Sequence, residues 1–102
     1  MRVMVVDDSK TVRMYHGSLL KEMGHEVIEA ENGMEAMERS LNGDIALYLV
    51  DVNMPIMDGY SFVKEIRKEE CYATTPIIMI TTQAHEEDRA EAFKVGANLF
   101  ET

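Results

Sequence analysis

Three apolar runs in this 102-residue sequence stop at groups that can do chemistry. Residues 2–6 stop at the paired acids Asp7 and Asp8, residues 45–50 run unbroken to Asp51, and residues 76–80 stop at Thr81 and Thr82. Runs of this length suit strands buried on both faces, so each acid or hydroxyl is expected at a strand's end. Asn53, Pro55, Asp58 and Gly59 follow Asp51 as turn chemistry. Pro fixes its φ and Gly can turn left-handed, which sets the Asp51 carboxylate at the base of a shaped loop. Acids clustered in this way suit a hard divalent cation, which takes oxygen ligands and keeps several waters. Zinc is not indicated. Cys71 has no metal-spaced partner, and His16, His25 and His85 are scattered over positions expected at the surface or its boundary.

Those groups need elements that hold the strand ends together. Ser9 is placed to cap a helix over 9–23, whose stripe of Val12, Tyr15, Leu19, Leu20 and Met23 would face the core and which Gly24 closes. Residues 26–30 are short and mixed, as suits a strand near a sheet edge. Asn32 and Gly33 turn the chain into a helix over 34–41, stopped by Asn42 and Gly43. A third helix spans 61–68 with Phe62, Val63 and Ile66 inward, a loop covers 71–75, and a fourth helix spans 86–95 up to Gly96. Residues 98–100 begin a fifth strand. This strand-helix alternation implies an α/β fold with a parallel sheet, right-handed crossovers and helices on both faces.

Composition narrows the partners. Ten Lys and Arg against 19 Asp and Glu give a net charge of −9, so a nucleic-acid backbone would be repelled. The acidic runs 65–70 and 86–91 read as solvated faces. One cysteine cannot form an internal disulfide, and no signal-like or membrane-spanning run is present, so a cytoplasmic location is expected. The nine methionines read as flexible core filling.

The paired acids after the first strand, the run Asp51-x-x-Met54-Pro55-x-Met57-Asp58-Gly59 and the hydroxyl of Thr81 together resemble the receiver domain of two-component response regulators, particularly the stand-alone chemotaxis type. The resemblance covers essentially all 102 residues, as one domain over 1–102. It implies a flavodoxin-like doubly wound sheet of order 2-1-3-4-5, which would bring Asp7, Asp8, Asp51 and Thr81 to one edge. It also implies roles. Asp51 would be the phosphoacceptor, Mg2+ would be held by Asp8 with help from Asp7, Asp51 and the backbone carbonyl of Asn53, and Thr81 would supply a switch hydroxyl. Phe100 stands where the family carries a mobile aromatic, while Asn53 and Gln83 stand where it tunes access of water to the phosphoryl group. Met54 and Met57 would help shape the loop. A sensor histidine kinase or phosphotransfer protein would be the donor, with a downstream target that the sequence does not name and with catalysis limited to the domain's own phosphorylation and dephosphorylation.

The sequence also departs from the pattern. By alignment it stops at Thr102, one residue before the lysine that ends the family's fifth strand, and before the last helix. Leu47, Leu49 or Ile78 would then be partly wet, which favours a homo-oligomer covering that face, or a fragment whose remainder comes from another chain. The competing reading is a phosphorylation-independent interaction or dimerisation domain with a remnant acidic site. A metal-dependent phosphatase would want an acid where Asn53 stands, and a flavin carrier would be disfavoured by two acids after the first strand.

Overall fold

The structure, a computed structural model, describes residues 1–82 and 85–102. Five strands form one sheet: β1 (Arg2–Val6), β2 (Glu26–Ala30), β3 (Leu47–Asp51), β4 (Ile77–Ile80) and β5 (Leu99–Glu101). All neighbouring pairs are parallel and the order is β2-β1-β3-β4-β5, as the resemblance implies. Between them run α1 (Lys10–Glu22), α2 (Gly33–Ser40), α3 (Gly59–Ile66) and α4 (Glu86–Val95), with no fifth helix among the described residues. A short 3-10 turn at Glu70–Tyr72 occupies part of the expected loop.

Local chemistry sets the boundaries. Ser9 caps α1 by accepting from Val12 N at 3.3 Å, and Gly24, at φ 89°, follows its end. Asn32 and Asp58, expected in turns, are N-caps whose side chains accept from Glu35 N at 2.9 Å and Ser61 N at 2.8 Å. Helices α2 and α3 therefore start one and two residues earlier than the apolar spacing suggests. The third strand begins two residues later, at Leu47, and takes in Asp51 as its last residue.

The sheet has two unlike faces. On one, Met4, Tyr48, Val50, Ile77, Met79 and Phe100 are buried with Phe62 and Ile66 of α3 and Ala92 of α4. On the other, α1 lies over β1 and β2, so that a Cβ on Gly17 would stand 3.6 Å from Val27 Cγ1. Val3 and Val5 are buried there, while Leu47, Leu49, Ile78 and Ile80 are only half-buried. The α1 stripe is correspondingly less covered than its spacing predicts: Tyr15, Leu19 and Met23 are exposed, because none of the described elements packs over their side of the helix.

Candidate functional site

Parallel register makes the edge of the sheet into a site. Val6 pairs with Val50, so Asp7 is level with Asp51, and Asp51 pairs in turn with Ile80, one residue before Thr81. Asp7, Asp8 and Asp51 each offer a carboxylate oxygen, and these lie within 4.8 Å of one another. Ser9 N donates to Asp7 Oδ1 at 2.9 Å, which fixes that carboxylate from the start of α1. Arg13 spends its hydrogen bonds elsewhere than on these carboxylates: its guanidinium donates to the Asp7 backbone oxygen at 2.7 Å and to Glu29 Oε1 at 3.0 Å.

Crowding shows in the acids' proton affinity. Burial first, then the charges of Asp7 and Asp8, push Asp51 up to about 6, against the opposing pull of the N–H groups of Val52 and Asn53. Asp7 is raised as well, chiefly by burial and further by Asp8, with Ser9 N–H, His16 and Arg13 acting against it. Three hard oxygen donors under mutual repulsion fit a divalent cation of the magnesium kind, which relieves the repulsion without needing a soft ligand.

The loop after Asp51 is fixed at several points. Gly59 N donates to Val52 O at 2.9 Å, and any Cβ on Gly59 would collide with the Asp51 carbonyl oxygen. The Asp-Gly pair read as a turn is thus a helix cap joined to a close approach that only glycine allows. Gly33 N donates to Met57 O at 3.0 Å, which ties the loop to α2. Met54 and Met57 pack on the core, whereas Asn53 is exposed.

Thr81 is buried at 3% exposure, its N–H donating to Glu101 O at 3.0 Å. It lines a hollow of about 450 Å³ together with Asp7, Val12, His16 and Asp51. His16, expected as a surface or boundary residue, is a boundary residue, half-buried on α1, and it also lines this hollow. Phe100 is not part of the hollow. Strand alternation sends it to the opposite face, 2% exposed beside Met79, with the Arg89 guanidinium 5.7 Å from its ring centroid. Gln83 lies outside the described residues.

A five-stranded parallel sheet with an acidic trio at the ends of its first and third strands, and a buried hydroxyl at the end of its fourth, defines an α/β module built to hold charge at one edge. A family model described as "Response regulator receiver domain" matches residues 3–100. The Chemotaxis protein CheY homolog of Campylobacter jejuni is 41% identical over 102 residues, covering 98% of this chain and 78% of that protein. Among solved structures, Vibrio cholerae CheY4 matches with a TM-score of 0.94 at 37% identity, over 97% of this chain and 82% of that one. The response regulator protein TrrA of Thermotoga maritima, in complex with Mg(2+)-BeF, matches with a TM-score of 0.87 at 31% identity, over 99% and 84%. The chain belongs to the response regulator receiver domain family, the phosphoacceptor signalling modules of two-component systems, and it is similar over its length to stand-alone chemotaxis-type members.

Proposed function

We propose that Asp51 is the residue phosphorylated and that Asp7, Asp8, Asp51 and the backbone carbonyl of Asn53 hold the Mg2+ this requires. The observation that carries this reading is the trio itself: three carboxylates within 4.8 Å at the ends of β1 and β3, with the Asp51 affinity for a proton raised by burial and then by its acidic neighbours. Bound there, Mg2+ would gather the negative charge that builds on the phosphoryl oxygens.

Asp51 is held in place by its own strand and by Gly59 pressed on its carbonyl, so one carboxylate oxygen is presented to the pocket at little entropic cost. That oxygen forms the bond to phosphorus as the P–N bond of a phosphohistidine breaks and the imidazole leaves. Thr81, next in sequence to the Ile80 that pairs with Asp51, then offers its hydroxyl to a phosphoryl oxygen, which displaces the segment leading to α4. Phe100, buried beneath α4, is the aromatic that would follow such a displacement. Asn53 and Gln83 carry amides, which are not general bases, so self-dephosphorylation is expected to be slow to moderate.

Receiver domains take their phosphoryl group from histidine kinases, and a sensor kinase or phosphotransfer protein is the donor in this reading. The half-buried Leu47, Leu49 and Ile78 support a homo-oligomer that covers the open face, in which case sedimentation at micromolar concentration gives a dimer or larger species; a stable compact monomer would overturn that part. Among the described residues no helix is long and apolar enough to cross a membrane, and the cytoplasmic setting belongs to this proposal. The remnant-site alternative is not favoured by a trio so closely gathered. The test is intact-protein mass spectrometry after incubation with acetyl phosphate and Mg2+. One phosphoryl adduct is expected, absent from Asp51→Asn and from a chelated control, and its absence from the folded wild type would overturn the assignment.

A further inference from the structure

His16 is a polar side chain on the inward line of α1. Val12, His16 and Leu20, each four residues from the next, are half-buried beside the buried Gly17, where helical spacing would ordinarily place apolar residues. No hydrogen bond within the chain explains the histidine. Among the described residues neither ring nitrogen has a partner, and the ring contact it makes is with the neighbouring Tyr15, itself exposed, at 5.5 Å between centroids.

What lies opposite His16 is the acidic site. Strand alternation puts Asp51 on the same face as Leu49, and Asp7 on that of Val5, which is the face where α1 lies. His16 lines both hollows that carry Asp51. The narrower, shared with Val5, Leu49, Asp51 and Ile80, is a space of about 10 Å³ that no more than a single water fills. In the wider one, of about 450 Å³, His16 shares the wall with Asp51 and Thr81, and among the described residues there it alone carries a side-chain nitrogen. It is also near enough to Asp7 for its charge to oppose the rise in that acid's proton affinity. A phosphoryl group in transfer to Asp51 spreads negative charge over three equatorial oxygens. One is turned toward the acidic trio and its cation, Thr81 donates to a second, and the α1 wall offers the third a donor in the imidazole.

On the phosphoacceptor reading of Asp51, we propose that His16 is a further residue of the acceptor site, its imidazole N–H donating a hydrogen bond to a phosphoryl oxygen during transfer and in the phosphorylated state. A neutral imidazole carries one N–H, and either tautomer is open to this ring, so the role does not depend on its being charged. In the transfer an Asp51 oxygen forms the bond to phosphorus, the bond from phosphorus to the donor's leaving atom breaks, and that atom keeps the electron pair. His16 retains its proton throughout.

The test uses acetyl phosphate at saturating Mg2+ on wild type, His16→Leu and His16→Gln. Leucine suits the inward line and has no donor. His16→Leu is therefore expected to melt at or above the wild-type temperature and to form the adduct roughly tenfold more slowly, the size of one hydrogen bond to a charged group. His16→Gln, whose amide donates, should recover most of the rate. A readout independent of rate is the ring itself: with Mg2+ and beryllium fluoride, a phosphoryl mimic, wild type should show a slowly exchanging imidazole N–H proton resonance that His16→Leu lacks. A wild-type rate in His16→Leu would overturn the proposal, as would beryllium fluoride binding that leaves the ring N–H unprotected. Equal slowing of both variants with lowered melting temperatures would assign His16 to packing and overturn it as well. If wild type takes no phosphoryl group, the Asp51 assignment itself fails and this inference goes with it; if wild type is modified and only the His16 outcomes fail, the Asp51 assignment stands.

Discussion

The two ends of the sheet treat their polar groups in opposite ways. At the end where β1 and β3 run out, Asp7, Asp8 and Asp51 crowd like charges together, and Asp51 is pushed up to about 6. At the other end the polar groups find partners. Tyr48 Oη and Ser40 Oγ lie 2.7 Å apart, Ser40 Oγ donates to Ala36 O at 2.7 Å, and Tyr72 Oη donates to Ser40 O at 2.7 Å. Arg67 donates to the carbonyls of Tyr72, Thr75 and Gly96 and to Asn98 Oδ1, closing the loops before β4 and β5. One end stabilises the fold through satisfied hydrogen bonds. The other retains unfavourable electrostatics that a cation or a phosphoryl transfer can exploit, which is where function and stability trade against each other.

The largest effect that tests this contrast is at the satisfied end. Arg67→Met should lower stability by about 2–4 kcal/mol, because several carbonyls lose a charged donor at once. Chemical denaturation reads the loss, and the rate of modification by acetyl phosphate should stay at the wild-type value while the protein is folded. A parallel fall in that rate would break the claimed independence of the two ends.

The next effect has the opposite sign. Asp51 has a higher proton affinity folded than the ordinary 3.8, so the folded state binds more protons between about pH 4 and 6 and is stabilised as the pH falls through that window. Its ionised form is a liability that is fully present above about pH 6. Asp51→Asn should therefore raise stability at pH 7.5 by roughly 1–2 kcal/mol, allowing for solvent screening of a half-buried group, and by little at pH 4. Urea unfolding at the two pH values, with Mg2+ chelated, is the measurement. Equal stabilisation at both would mean that packing rather than charge is responsible.

The smallest effect sharpens the picture of the satisfied end. Tyr48→Phe removes one partner of Ser40 Oγ, which still donates to Ala36 O, so a loss of only about 1 kcal/mol is expected. Thermal unfolding would detect it, and a loss above about 3 kcal/mol would show a more cooperative network than these bonds describe.

Much of the site was legible because it obeys local rules. Apolar runs ending in acids gave the strand ends, and Ser9, Gly24 and Gly96 marked helix ends by chemistry that acts over a few residues. What escaped was non-local. That Asp58 caps a helix rather than closing a turn depends on α3 packing back over the Asp51 carbonyl. That His16 lines the hollow beside Asp7 and Asp51, and that Tyr15 and Leu19 stay exposed, depends on how α1 packs on the sheet.

The sequence by itself determined the alternation of strands and helices, the residue types that can bind a cation or accept a phosphoryl group, and, through motif order, the family. Periodicity and capping operate within a few residues, so they are written in the chain. Only the tertiary structure decided that the three carboxylates come within 4.8 Å of one another, and that Thr81 shares a hollow with Asp7 and Asp51 while Phe100 lies on the opposite face. Those facts follow from strand register and from the packing of helices onto two unlike faces, which are set by contacts between residues far apart in the chain.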